Sequence, residues 1–170
     1  NEVTFGDYKL ADIPNTCVSA IKAVKDLKFN YITIHLSSGI KAIKAAKKVA
    51  GSTKLIGVTI LTSLDEESLK QIGFDKSINK LVLHQAKLAS KANLDGIVCS
   101  PKEIKLVKKV FKKEIITPGI RMFKDKKVDQ VRTMSPKQAI KNGATALVIG
   151  RSLTKGNIEK NIQKLISELK

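Results

Sequence analysis

The sequence predicts an α/β fold of parallel βα units, read as a TIM-type (β/α)8 barrel of which this chain supplies about six units. Three observations lead there. Short β-branched apolar runs alternate with longer stretches of 3.6-residue apolar spacing, and the alternation repeats six times. No glycine-rich phosphate turn follows an early strand, as an open dinucleotide-binding sheet would carry; the first strand runs instead into Asp7-Tyr8-Lys9-Leu10-Ala11-Asp12. A complete barrel takes about 250 residues and rarely fewer than about 200, so 170 residues fall short by two units. Residues 1–170 are read as one domain.

The strands expected in chain order are Val3–Lys9, Tyr31–His35, Lys54–Leu61, Leu94–Cys99, Glu114–Thr117 and Ala146–Ile149. Each is a short β-branched or apolar run of the kind a sheet covered on both faces requires. The intervening helices are expected at Pro14–Leu27, Gly39–Val49, Asp65–Gln71, Ile78–Ala92, Pro101–Phe111 and Pro136–Asn142, with Asn157–Leu169 closing the chain. Ser100-Pro101 and Ser135-Pro136 each read as a Ser N-cap followed by Pro in the first helical turn.

Lys plus Arg number 32 against 15 Asp plus Glu, a formal charge of +17. A nucleic-acid reader concentrates such charge and interleaves stacking aromatics, yet there is no Trp and there are 2 Tyr and 5 Phe. The lysines recur in pairs on segments with helical spacing, such as Lys41 with Lys44 and Lys108 with Lys109, and read as solvated helix faces. No specific nucleic-acid partner and no membrane span is expected. Cys17 and Cys99 lack CxxC spacing and His35 and His84 lack HxxxH spacing, so the expectation is reduced thiols, no metal site and a cytoplasmic location.

Two constellations carry chemistry. Asp7 and Lys9 are two apart on a strand and point to one side, which at the C-terminal end of a barrel strand is the mouth of the site; Tyr8 points away. A carboxylate beside an ammonium suits proton transfer, the cation stabilising a carbanion and then protonating it. DxK also reads as a strand-end salt bridge, but Asp12, just beyond the strand, adds a third charge that scaffolding does not require. At the other end, Thr117-Pro118-Gly119-Ile120-Arg121 and Ile149-Gly150-Arg151 follow the last two strands, where barrels commonly hold phosphate. Glycine admits a backbone N–H to an anion and arginine supplies a bidentate fork, although either arginine alone also reads as a surface ion-pair residue.

The segments DYKLADIPNT, IHLSSG, VTILTSL, DGIVCS, TPGIR, DQVRTMSP and VIGRSL resemble, in the same order, those of the orotidine 5′-phosphate decarboxylases. DxKxxD is shared with other ribulose-phosphate-binding barrels, whereas DIPNT with TPGIR and DQxR is more specific. The resemblance implies a cofactor-free carboxy-lyase of pyrimidine nucleotide synthesis that converts orotidine 5′-phosphate to uridine 5′-phosphate. It implies that Lys9 stabilises and protonates C6, that Asp7 lies against the departing carboxylate, and that the enzyme is a homodimer with shared sites. Asp12, Ile13 and Thr16 would then reach the partner's site. Thr62 and Ser63 match the loop at the base, Arg121, Gln130, Gly150 and Arg151 match the phosphate grip, and Pro118 is a further substrate-binding position. His35 matches a structural position, Cys99 and Ser100 match packing and a helix cap, and Met122–Val128 is the candidate lid.

The complete barrel of the family has two further βα units ahead of the DxKxxD strand, with an Asp and a Lys that this sequence lacks. Three readings follow, in order: a fragment of an active enzyme, which Asn1 favours; a split gene; or an inactive remnant that binds phosphate or polyanions. A related sugar-phosphate barrel enzyme using magnesium would also show DxKxxD, but would offer a further acidic ligand.

Overall fold

The computed structural model describes residues 2–122 and 132–169. The strands are β1 (Phe5–Leu10), β2 (Tyr31–His35), β3 (Lys54–Val58), β4 (Gly96–Val98), β5 (Glu114–Thr117) and β6 (Ala146–Leu147). They form one parallel sheet in the order β1-β2-β3-β4-β5-β6. Every strand thus lies beside its sequence neighbour, without the reversal of order that marks a doubly wound sheet. The result is a curled partial barrel, in which β1 and β6 are the two edges among the described residues.

The helices are α1 (Pro14–Ala23), α2 (Gly39–Val49), α3 (Glu66–Gln71), α4 (Ile78–Lys91), α5 (Ile104–Val107), α6 (Pro136–Asn142), α7 (Arg151–Thr154) and α8 (Ile158–Leu169). The apolar residues of α1 to α6 cover one face of the sheet, whereas α7 and α8 bury none. Ala42, Ile43 and Ala46 of α2 and Val82, Ala86 and Ala89 of α4 are buried with Ile32, Ile34, Leu55, Ile97 and Ile115 of the strands. Because strand side chains alternate, Ile56 and Val58 leave that cluster and are buried on the other face. Lys41, Lys44 and Lys48 stay exposed on the opposite side of α2, as the spacing predicts.

Differences from the sequence expectations have local causes. The stretch expected as one helix to Leu27 stops at Ala23 and passes into a 3-10 turn at Lys25–Leu27, which Lys28 terminates in the left-handed conformation. The helix expected from Pro101 begins at Ile104 instead. The Ser100 hydroxyl accepts from the Lys102 N–H at 3.3 Å rather than capping a helix, and Glu103 turns inward to a buried arginine. Ser135-Pro136 does open α6, Ser135 accepting from the Gln138 N–H. Helix α7 was not expected, since four residues carry too little periodicity to read. Cys17 and Cys99 are free and buried, and burial pushes the Cys99 thiol far above its ordinary range.

Candidate active site

The ends of β1 and β2 bring together the first constellation. Gly6 pairs with Ile32 and Leu10 with Ile34, so the register shifts between them, and Lys9 sits at φ +51°. A left-handed residue costs roughly 1–2 kcal/mol and persists because its surroundings hold it. The Lys9 N–H donates to Thr33 Oγ1 at 2.8 Å, and Thr33 Oγ1 donates to Asp7 Oδ1 at 3.0 Å. The Lys9 ammonium bonds the other carboxylate oxygen, Asp7 Oδ2. Asp7 and Lys9 therefore meet through a bulge anchored on the fully buried Thr33, where simple alternation had been expected to bring them together.

The pair opens onto a cavity of about 230 Å³ whose lining also includes Thr62, Ser100, Pro118 and the apolar Phe5, Ile60 and Val148. It is not a dry site in this chain. The side chains of Lys9 and Asp7 are 44% and 48% exposed, because β1 is an edge strand with no outer neighbour among the described residues. At the end of β2, His35 is half-buried; desolvation holds its imidazole below the ordinary 6.5, the Lys9 ammonium adds to the effect, and Asp7 opposes it. A neutral imidazole beside the pair is the consequence.

Across the cavity, Thr62 is half-buried and Ser63 exposed. The Ile60 and Leu61 carbonyls just before them accept from Arg132 Nη2 at 3.2 and 2.7 Å. Gly119 sits at φ +76°, and a Cβ there would stand 2.9 Å from the Arg132 carbonyl oxygen, so this turn requires glycine. Arg121, half-buried, donates its N–H to the Met134 carbonyl at 3.0 Å and Nη1 to the Ile120 carbonyl at 3.1 Å. Gly150 and Arg151 are exposed at the end of β6, where α7 starts. Gln130 and residues 123–128 of the expected lid lie outside the described residues.

Of the residues singled out in the sequence, Asp7, Lys9, Thr62 and Pro118 share the cavity. Asp12 and Ile13 instead flank a separate groove with Ser37, Ser38 and Gly39. There the Asp12 carboxylate accepts from the Ile13 N–H at 2.7 Å, Ile13 is 66% exposed, and Thr16 nearby in sequence is exposed. Sequence reasoning missed three residues. Thr33 passes for an ordinary β-branched strand residue, and Glu103 and Arg132 pass for surface charges. Arg132 stands in the DQVR motif, whose spacing gives no sign that the arginine turns inward. Among the described residues no group of His, Cys, Asp and Glu could hold a metal, and no helix is long and apolar enough to cross a membrane.

Comparisons with known proteins show what the chain is similar to. Relatives described as orotidine 5′-phosphate decarboxylase include one from Wolbachia sp. subsp. Brugia malayi, 44% identical over 170 residues, covering 98% of this chain and 75% of the relative. Another, from Carboxydothermus hydrogenoformans, is 39% identical over 176 residues, covering 97% and 73%. The crystal structure of orotidine 5′-phosphate decarboxylase from Lactobacillus acidophilus superposes with a TM-score of 0.83 at 30% identity, over 98% of this chain and 75% of that one. The chain thus spans about three quarters of the length of these relatives. The family model described as "Orotidine 5'-phosphate decarboxylase / HUMPS family" matches residues 2–164, and the chain belongs to that family.

Proposed function

We propose that this chain carries the reacting groups of a decarboxylase that converts orotidine 5′-phosphate to uridine 5′-phosphate. The observation that carries the reading is the Lys9–Asp7 pair, fixed by Thr33 at the mouth of a cavity that Thr62 and Pro118 also line. The names of the relatives and the order of the motifs support it. In this scheme the bond between C6 and the carboxylate breaks, carbon dioxide leaves, and the electron pair stays on C6. The Lys9 ammonium stabilises that charge and gives C6 its proton, and the neutral amine regains one from solvent. Asp7 orients the ammonium and crowds the departing carboxylate.

Substrate entering the cavity displaces water from one side of the half-exposed pair, which strengthens the field of the ammonium at C6. Arg121, Gly150, Arg151 and Gln130 are assigned to the phosphate, and Thr62 and Ser63 to the base. Phosphate binding remote from the reacting carbon supplies energy that holds the base against Lys9. Asp12 and Ile13 face a groove apart from Lys9 and Thr16 is exposed nearby in sequence, which supports assigning the three to the site of a second copy in a homodimer.

The test is loss of the orotidine 5′-phosphate absorbance. Lys9→Ala is expected to lower kcat by about 10³-fold or more, within the range for losing a proton donor that also acts electrostatically. Binding of uridine 5′-phosphate should remain measurable by calorimetry. Arg151→Ala should weaken uridine 5′-phosphate by about 10-fold or more while leaving uridine nearly unchanged. Undiminished turnover in Lys9→Ala would sink the assignment.

A further inference from the structure

Arg132 and Glu103 form a buried ion pair, 5% and 2% exposed, with Arg132 Nη1 donating to Glu103 Oε1 at 2.8 Å. Burying two charges is costly, and an apolar pair of similar volume is often at least as stable, so stability alone does not account for it. An apolar side chain could not hold backbone carbonyls, and Arg132 Nη2 holds two, those of Ile60 and Leu61. These residues line the cavity and lead directly into Thr62. Glu103 anchors the arrangement from the turn that follows Ser100, another lining residue.

The Arg132 backbone packs against the opposite wall. Its carbonyl oxygen fills the space where a Cβ on Gly119 would stand, at 2.9 Å. Two residues on, the Met134 N–H donates to the Gly119 carbonyl at 3.1 Å and the Met134 carbonyl accepts from the Arg121 N–H at 3.0 Å. The segment from Arg132 to Met134 thus ties the loop that follows β3, through the Arg132 guanidinium, to the loop that follows β5, through the Met134 backbone. A planar guanidinium with several donors suits this task where a lysine would not.

We propose that Arg132 is a positioning residue that sets the separation between the Ile60–Ser63 loop and the Pro118–Arg121 loop, so that a ligand spanning both is held at one geometry. The identity of that ligand, a phosphorylated pyrimidine nucleoside, rests on the function proposed above; the tie between the loops does not. Loss of Arg132 should therefore affect a ligand that touches both loops far more than one that touches only the base side, because misplacement of one contact wastes the other.

The experiment compares Arg132→Met and Arg132→Lys with the unaltered 170-residue chain. Amide hydrogen exchange is read over residues 60–64, 118–122 and, as a control, α2. Calorimetry gives the affinities of uridine 5′-phosphate and uridine. Arg132→Met is expected to speed exchange in both loops together, with α2 unchanged, and to cut the advantage of uridine 5′-phosphate over uridine by roughly 10-fold or more. Arg132→Lys should show the same pattern more weakly, and carries the comparison if the Met variant does not fold. Faster exchange in one loop alone, or everywhere, would overturn the proposal; so would an unchanged affinity ratio with both loops loosened. If the unaltered chain binds neither ligand, the functional reading fails, and exchange alone decides: loosening of both loops upholds the tie and any other pattern rejects it.

Discussion

Thr33 shows how much a single hydroxyl can organise. It accepts from the Lys9 N–H and donates to the Asp7 carboxylate, so its one oxygen fixes the backbone of the cation and the orientation of the anion. Thr33→Val keeps the shape, removes both bonds and leaves the Lys9 N–H short of a partner, a cost of about 1–3 kcal/mol where water cannot reach. The expected result is kcat reduced by about 10- to 100-fold, or roughly 1.4–2.7 kcal/mol on the barrier, with KM changed little and Thr33→Ser largely restoring the rate. Steady-state kinetics of the three proteins, with melting curves to show that each folds, test this. A rate in Thr33→Val equal to the parent's would remove Thr33 from the machinery. The sequence made the meeting of Asp7 and Lys9 legible through their spacing. It hid the left-handed backbone at Lys9, because the support for that strain comes from a neighbouring strand 24 residues away.

At the scale of elements, legibility followed the strength of the repeating pattern. Tyr31–His35 and Gly39–Val49 form with the bounds expected, since a β-branched run and an alternating Lys/Ala/Ile stretch each favour one period. The expected helix from Pro101 shrank to Ile104–Val107 because a long-range ion pair at Glu103 outweighs a local cap, and no window of sequence contains both partners. Glycine in β3 belongs to the same class of hidden constraint. Gly57 pairs with Ile34 and Ile97 in mid-sheet. A Cβ there would lie 2.7 Å from Leu36 Cδ2 and 2.9 Å from Leu94 Cδ1, in side chains that are themselves fully packed. Gly57→Ala should overpack this layer and destabilise the fold by about 1–3 kcal/mol, although alanine favours the strand backbone over glycine. Chemical denaturation would show it as a lower midpoint at unchanged slope; a midpoint at or above the parent's would mean that Leu36 and Leu94 yield without cost.

For the whole molecule, the order of βα units was legible because counting needs no contacts, and the closure of the sheet was not. Strands β1 and β6 each pair on one side only among the described residues, and Ile158, Ile162 and Ile166 on α8 are exposed on one helical stripe. Charge is the other global property, and its reading as solvated helix faces agrees with the exposed lysines of α2. Dispersed charge still has an effect: +17 creates a field that draws an anionic substrate toward the surface and raises its encounter rate. Raising sodium chloride from about 0.05 to about 0.5 M shortens the screening length from about 14 to about 4 Å. The expected outcome is a fall of several-fold or more in kcat/KM for orotidine 5′-phosphate, carried by KM, with kcat nearly constant. Replacing Lys44, Lys48 and Lys105 with Gln should reproduce part of that fall at low salt and flatten the salt response, because these exposed residues line neither the cavity nor the groove at Asp12 and act only through the field. Steady-state kinetics at four salt concentrations decide the matter: a triple variant whose salt response matches the parent's would confine the electrostatics of binding to the arginines at the phosphate end.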